Sequence, residues 1–120
     1  MRVLIADDNS LVRRGITKLL SGDKELQICG EASNSRETLQ KADELMPDLI
    51  LLDISMPGMS GLETTQLLRQ KHPALKILII SQHDANQLLP RSLEAGADGC
   101  IDKARIATDL LPTLKTLFKN

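Results

Sequence analysis

Short, unbroken apolar runs, each closed by a polar residue, limit what this 120-residue chain can fold into. Val3-Leu4-Ile5-Ala6 ends at Asp7, Leu49-Ile50-Leu51-Leu52 at Asp53, and Ile77-Leu78-Ile79-Ile80 at Ser81. A strand covered on one face alternates apolar and polar residues, whereas a continuous run suits a strand covered on both, as in a parallel sheet. Between the runs the apolar residues recur at helical spacing, so strand and helix alternate along the chain. Such alternation with right-handed crossovers predicts an α/β, doubly wound sheet with helices on both faces.

The elements follow in order. The first strand covers about 2–6, and Asn9 or Ser10 can cap a helix to about Leu20 with Leu11, Val12, Ile16, Leu19 and Leu20 on its apolar face. The second strand, Leu26 to Ala32, alternates more than the others and suits a place near an edge. Ser35 is expected to cap a helix carrying Leu39, Ala42, Leu45 and Met46, which Pro47 stops. The third strand is 49–52; the Pro57-Gly58 loop leads to a helix over about 61–71, broken by His72-Pro73. The fourth strand is Leu75 to Ile80, and a helix over about 84–95 ends at Gly96. The fifth strand is Gly99 to Asp102, and a last helix runs to about Leu117. Pro90 inside the fourth helix removes a backbone bond, which predicts a kink or a late start there. Pro112 is tolerable if the fifth helix starts near Thr108 or Asp109, where amides lack intrahelical partners anyway.

Composition excludes several function classes. A net charge of −1 with no basic run argues against direct nucleic-acid binding. Phe118 is the single aromatic residue, which removes base stacking as a binding mode. No apolar stretch is long enough to span a bilayer, and the chain enters a strand at once, with no signal peptide, so a cytoplasmic protein without membrane contact is expected. Cys29 and Cys100 lack metal-type spacing and are expected to be small buried hydrophobes in strands. No repeat or internal linker divides the chain, so residues 1–120 are expected to form one domain.

Two strand orders suit the pattern, the flavodoxin-like 2-1-3-4-5 and a Rossmann-type half. The first strand is followed by Asp7-Asp8-Asn9-Ser10 rather than by a glycine-rich turn, and two carboxylates repel a pyrophosphate. In the 2-1-3-4-5 order Asp7, Asp8 and Asp53 converge at the carboxyl edge of the sheet, with Ser81 and Lys103 beside them. Three such acids repel one another unless a cation joins them, and a hard divalent ion such as Mg2+ prefers oxygen ligands. These parts match phosphoryl transfer onto a carboxylate. Asp53 is the candidate nucleophile; Asp8, Asp7 through a water, and Asp53 itself are the candidate metal ligands. Lys103 and the Ser81 hydroxyl are placed to meet phosphoryl oxygens.

The Asp7-Asp8 pair, the segment Asp53-Ile54-Ser55-Met56-Pro57-Gly58-Met59-Ser60-Gly61, Ser81 and Lys103 together resemble the receiver domain of two-component response regulators. Ser81-Gln82-His83-Asp84 and Glu94-Ala95-Gly96-Ala97-Asp98-Gly99 are most similar to receivers of the NarL/FixJ type. The resemblance implies a CheY-like fold and phosphate transfer to Asp53 from a histidine kinase or phosphotransfer protein. It also implies Mg2+, with the Ser55 backbone carbonyl completing the metal site. Phosphorylation would then reshape the face of helix four, strand five and helix five, with dimerisation through that face or through helices one and five. Such a chain assists its own phosphorylation and dephosphorylation without being a dedicated enzyme. Its expected output is transcription through a DNA-binding domain absent from this chain. The alternative is a stand-alone receiver acting by protein contact or as a phosphorelay intermediate. Phosphatases of the haloacid dehalogenase type carry a second Asp two residues after the nucleophile, a pattern that the adjacent Asp7 and Asp8 do not match.

The chain departs from the family pattern in three places. Cys100 stands where an aromatic switch residue is usual, so the switch is expected to work through Ser81 and backbone movement alone. Ala104 follows Lys103 where many receivers have proline; a cis bond there would cost about 3 kcal/mol without proline, so none is expected. Gln82 is bulkier than the usual small residue and is expected to narrow access to Asp53. His83, near the mouth, is a candidate for tuning dephosphorylation or meeting the donor histidine; His72 is expected to be a plain loop residue. In the 2-1-3-4-5 order the two cysteines lie on opposite edge strands, four steps or roughly 19 Å apart. A disulfide needs Cα atoms within about 7 Å, so no Cys29–Cys100 bridge is expected.

Overall fold

A computed structural model describes residues 1–82 and 84–118. The order is β1 (Arg2–Ala6), α1 (Ser10–Leu20), β2 (Gln27–Ala32), α2 (Ser35–Leu45), β3 (Leu49–Asp53), α3 (Gly61–Lys71), β4 (Lys76–Ser81), α4 (Ala85–Ala95), β5 (Gly99–Asp102) and α5 (Ile106–Leu117). A 3-10 turn, Lys103–Arg105, joins β5 to α5. All strand pairs are parallel and the order is β2-β1-β3-β4-β5, so the Rossmann-type half is excluded.

Strand alternation divides the core in two. Leu4, Ala6, Ile50, Leu52, Ile77 and Ile79 pack one face against Ala42 of α2 and Leu68 of α3. Val3, Ile5, Leu49, Leu51, Leu78 and Ile80 pack the other against Ile16 and Leu20 of α1 and Leu110 and Leu114 of α5. Every residue of β3 is buried, which is why its sequence does not alternate. Edge strand β2 has half-buried residues at Ile28, Cys29 and Gly30 between exposed ones, and it carries a bulge, since Val3 pairs with Ile28 but Leu4 with Gly30. Cys29 is the extra residue there. Cys29 and Cys100 are both in strands and both touch the first core, but they are half-buried rather than buried. They are free and lie on opposite edge strands.

Several sequence expectations need correction. The cap of α2 is Asn34, whose side chain accepts the Glu37 N–H, and Ser35 is the first helical residue. The Ser35 hydroxyl is otherwise engaged: it accepts the Met59 N–H at 2.8 Å, while the Ser35 N–H donates to Pro57 O at 3.3 Å. Ser35 thus anchors the β3–α3 loop, and a Cβ at Gly58 would lie 2.4 Å from its oxygen, at a φ of +99° that favours glycine. Asn34→Ala is expected to cost about 1 kcal/mol in a denaturant melt, the usual loss for a removed cap.

α4 runs Ala85–Ala95, close to the expected bounds, with Pro90 inside it, so of the two expected effects of that proline, a kink or a late start, the late start does not occur. Two carboxylates fix the start at Ala85: Asp84 Oδ1 accepts the Asn86 N–H and Asp102 Oδ1 the Ala85 N–H, each at 2.9 Å. α5 begins at Ile106, earlier than expected, so Pro112 lies inside it rather than in its first turn. β3 and β4 each run one residue further than their apolar runs, so Asp53 and Ser81 end their strands instead of following them. Leu11 and Met46, placed on apolar helix faces by spacing, are 69% and 61% exposed. His72 is more than a loop residue: it caps α3, and its Nε2 lies 2.9 Å from Asp43 Oδ1 of α2. No peptide bond among the described residues is cis.

Candidate functional site

The ends of β1, β3, β4 and β5 bring the predicted site residues to one edge of the sheet. Asp7 follows β1, Asp53 closes β3, and Ser81 closes β4 in register with Asp102 of β5. Lys103 begins the 3-10 turn that follows. One ligand oxygen each from Asp7, Asp8 and Asp53 lies within 4.8 Å of the others. Asp7 and Asp53 are buried, and Asp8 is exposed.

Each buried acid spends one oxygen locally. Asp7 Oδ1 accepts the Asn9 N–H at 2.8 Å. Asp53 Oδ1 accepts the Ser55 N–H at 3.3 Å and the Ser55 hydroxyl at 3.2 Å. The second oxygens, Asp7 Oδ2 and Asp53 Oδ2, are buried and receive no hydrogen bond of good geometry. Lys103 Nζ lies 2.9 Å from the first and 3.6 Å from the second, so its contact with the two is chiefly ionic. One ammonium against three carboxylates leaves the cluster net negative.

Burial and the neighbouring charges together set the titration of Asp53 and Lys103. Burial pushes the Asp53 carboxyl above its ordinary value, and the Asp7 charge adds to the rise; the Ser55 bonds and Lys103 oppose it without cancelling it. Burial pulls the Lys103 ammonium down, but its contacts with Asp7 and Asp53 outweigh burial and the net shift is upward. Lys103 therefore stays charged at neutral pH.

Two orphaned anionic oxygens beside an exposed carboxylate form an all-oxygen donor set, which fits a hard divalent cation. Ser55 is exposed at the edge of this cluster. Ser81 is wholly buried, and Gln82 is exposed. His83 lies outside the described residues. At the position of the usual aromatic residue, the half-buried Cys100 thiol is pushed up by burial, an effect eased by the neighbouring Ser92 hydroxyl of α4.

Two contributors had no signal in the sequence. Asp102 holds the first amide of α4, as described above, and so ties the β4–α4 connection to the strand that presents Lys103. Arg13 of α1 donates from Nη1 to the Asp7 backbone carbonyl at 2.6 Å. Both contacts join segments whose spacing says nothing about their meeting.

No helix among the described residues is long and apolar enough to cross a membrane. Residues 3–115 match the family model described as response regulator receiver domain. The chain is 38% identical over 118 residues to the response regulator GacA of Pseudomonas viridiflava, covering 98% of this chain and 55% of that protein. It is 39% identical over 112 residues to the nitrate/nitrite response regulator NarL of Escherichia coli K12, covering 93% of this chain and 52% of that protein. The chain thus spans about half the length of these curated relatives. The isolated receiver domain of RcsB from Salmonella enterica serovar Typhimurium, solved with the phosphomimetic BeF3−, superposes with a TM-score of 0.92 at 28% identity, covering 100% of this chain and 89% of that one.

Proposed function

This chain belongs to the response regulator receiver family, and from that premise we propose that residues 1–120 form one phosphoacceptor domain in which Asp53 takes a phosphoryl group from a phosphohistidine. The observation that supports this reading is the cluster itself: three carboxylates within 4.8 Å, two of them buried and sharing one ammonium.

Asp53 is the nucleophile. One of its carboxylate oxygens attacks phosphorus, the P–N bond to the donor histidine breaks, and the imidazole leaves with the bonding electron pair and takes a proton from solvent. No general base is required, because an ionised carboxylate has no proton to lose. Lys103 offers its charge to a phosphoryl oxygen, and Ser81 a hydroxyl to another. Asp7, Asp8, Asp53 and the Ser55 carbonyl are the residues that would hold Mg2+. When bound, the ion supplies positive charge that offsets the acids and the incoming phosphoryl oxygens.

The phosphodonor is a histidine kinase or phosphotransfer protein, and the domain assists its own phosphorylation and dephosphorylation without being a dedicated enzyme. With Cys100 in place of a ring, switching runs through Ser81 and the backbone that links it to α4, and the α4–β5–α5 face carries the change. Gln82 narrows the approach to Asp53. Transcription control through a DNA-binding domain, in the cytoplasm, is the expected output. The solved RcsB receiver with BeF3− supports the use of that phosphomimetic here.

Intact mass after incubation with MgCl2 and acetyl phosphate tests the proposal. One phosphoryl group should be gained, and the gain should vanish in Asp53→Asn and in EDTA. A gain that survives in Asp53→Asn would exclude Asp53 as the acceptor. No gain in the wild type, with Gln82→Ala equally inert, would exclude the phosphoacceptor reading.

A further inference from the structure

We propose that Arg13 is a positioning residue for the acidic cluster: by holding the Asp7 carbonyl it fixes the turn that carries Asp8, and so sets the affinity for a divalent cation. The inference rests on the metal-binding reading above and deepens it.

The hydrogen bonds of Asp7 show why one side chain has this leverage. Its N–H continues the sheet by donating to Ala32 O at 3.0 Å. Its Oδ1 accepts the Asn9 N–H, and its backbone carbonyl accepts from Arg13 Nη1 at 2.6 Å. Oδ2 is thereby left to face Lys103 and Asp53. Of the three locally bonded groups, only the carbonyl depends on another residue's side chain, so only that bond can be deleted by substitution outside the acid itself.

The Asp7 carbonyl belongs to the peptide unit that leads into Asp8. The Asp8 side chain is exposed and makes no hydrogen bond or ion pair among the described residues. With no side-chain partner, the place of its carboxylate depends on the turn and on its own rotamer, and repulsion from Asp7 and Asp53 disfavours the arrangement that brings the three together. A turn held at its carbonyl keeps Asp8 near the other two acids without the help of a cation.

Arg13 is itself held. Its Nε donates to Glu31 Oε1 of β2 at 2.8 Å, and its side chain is 18% exposed. The planar guanidinium makes both contacts at once, one to an edge strand and one to the turn, which a lysine ammonium on a flexible stem does less well. Arg14, the next residue, is exposed and makes no such contact among the described residues. It carries the same charge near the same place without the geometry, which makes it the control for net charge.

Titration calorimetry of the whole chain with MgCl2 is the test. Arg13→Met should weaken Mg2+ binding about tenfold, the lower end of the loss seen when a group that orients a metal ligand is removed. Arg13→Lys should recover part of the affinity, and Glu31→Gln should lose less than Arg13→Met. Arg14→Met should stay within about twofold of the wild type, because a solvated charge is screened. Circular dichroism establishes that each variant is folded; if Arg13→Met is not, Arg13→Lys and Glu31→Gln decide. Unchanged affinity in the folded Arg13 and Glu31 variants, or an equal loss in Arg14→Met, overturns the proposal while the metal site stands. A wild type that binds no Mg2+ overturns this proposal and the metal-binding reading together; where the wild type binds, Asp8→Asn should abolish binding, and binding that survives it lies outside the acidic cluster and overturns both.

Discussion

Lys103→Met is expected to lower the stability of the metal-free protein by about 3 kcal/mol at neutral pH, the low end for breaking a buried ion pair. The ammonium is 14% exposed and stands 2.9 Å and 3.6 Å from the orphaned oxygens of Asp7 and Asp53. Removing it leaves two buried carboxylates facing each other with no cation between them. For a domain of this size the loss corresponds to roughly 10–15 °C in melting temperature. The folded state holds the Lys103 proton more tightly than the unfolded state, so the pair's contribution is complete below the ordinary lysine pKa. It is lost as pH rises through the elevated folded-state value. The wild type should therefore lose this contribution only in strongly alkaline solution, and the variant at every pH where both acids are ionised. Mg2+ should stabilise the variant as well, by about 2.7 kcal/mol at a hundredfold excess over Kd, and bring it close to the metal-free wild type. Thermal melts with EDTA and with MgCl2 check both parts. A variant as stable as the wild type in EDTA would mean that Lys103 does not balance the acids.

The parts of this arrangement that depend on local pattern are legible in the amino-acid sequence. Residues 49–52 read as a strand covered on both faces because every one of them is apolar, and every one is buried. The acids at the ends of two such runs can be placed on one edge because parallel strands all end on the same side. The ends of helices are harder, for a physical reason. Asn34 and Ser35 are both good caps, and local propensity does not choose between them. The choice is made by Met59, whose N–H takes the Ser35 hydroxyl from a loop far along the chain. Pro112 points to a late start for α5, but burial of Leu110 and Leu114 against the sheet continues the helix across the missing amide. Arg13 and Asp102 are invisible for the same cause: each is an ordinary surface-type residue until the fold brings a backbone group within reach.

Among the described residues the buried side-chain atoms without a hydrogen-bond partner are Asp7 Oδ2, Asp53 Oδ2 and Ser92 Oγ of α4, and the two that carry charge both lie in the site. Thr64 and Thr65 donate their hydroxyls to Ser60 O and Gly61 O one turn back, at 2.9 and 2.8 Å. Asp7 Oδ2 and Asp53 Oδ2 have no donor of their own and share the Lys103 ammonium, although each acid's other oxygen accepts a nearby N–H. Two buried carboxylates sharing one ammonium are costly, and breaks in local consistency of this kind concentrate at functional sites.

Asp53→Asn is accordingly expected to stabilise the metal-free protein by roughly 1–3 kcal/mol at neutral pH, the cost of a buried, unsatisfied polar group that is removed. The amide carries no charge to repel Asp7, and it leaves the Lys103 ammonium to Asp7 alone. The pH dependence has a definite sign. Asp53 in the folded protein has a pKa above its ordinary 3.8, so the folded state binds the proton more tightly than the unfolded state. The penalty is absent below about the ordinary value, grows as pH rises through the folded-state value, and is complete above it. Wild type and Asp53→Asn should thus differ most near neutrality and converge on acidification, the reverse of a carboxylate stabilised by a salt bridge. Added Mg2+ should invert the order, raising the melting temperature of the wild type while leaving the variant, short of a ligand and of a negative charge, nearly unmoved. Urea melts across pH in EDTA, repeated in MgCl2, check the sign and the inversion. If Asp53→Asn is instead less stable than the wild type in EDTA at neutral pH, the ionised carboxylate is favourably held and the strain assigned to this cluster is absent.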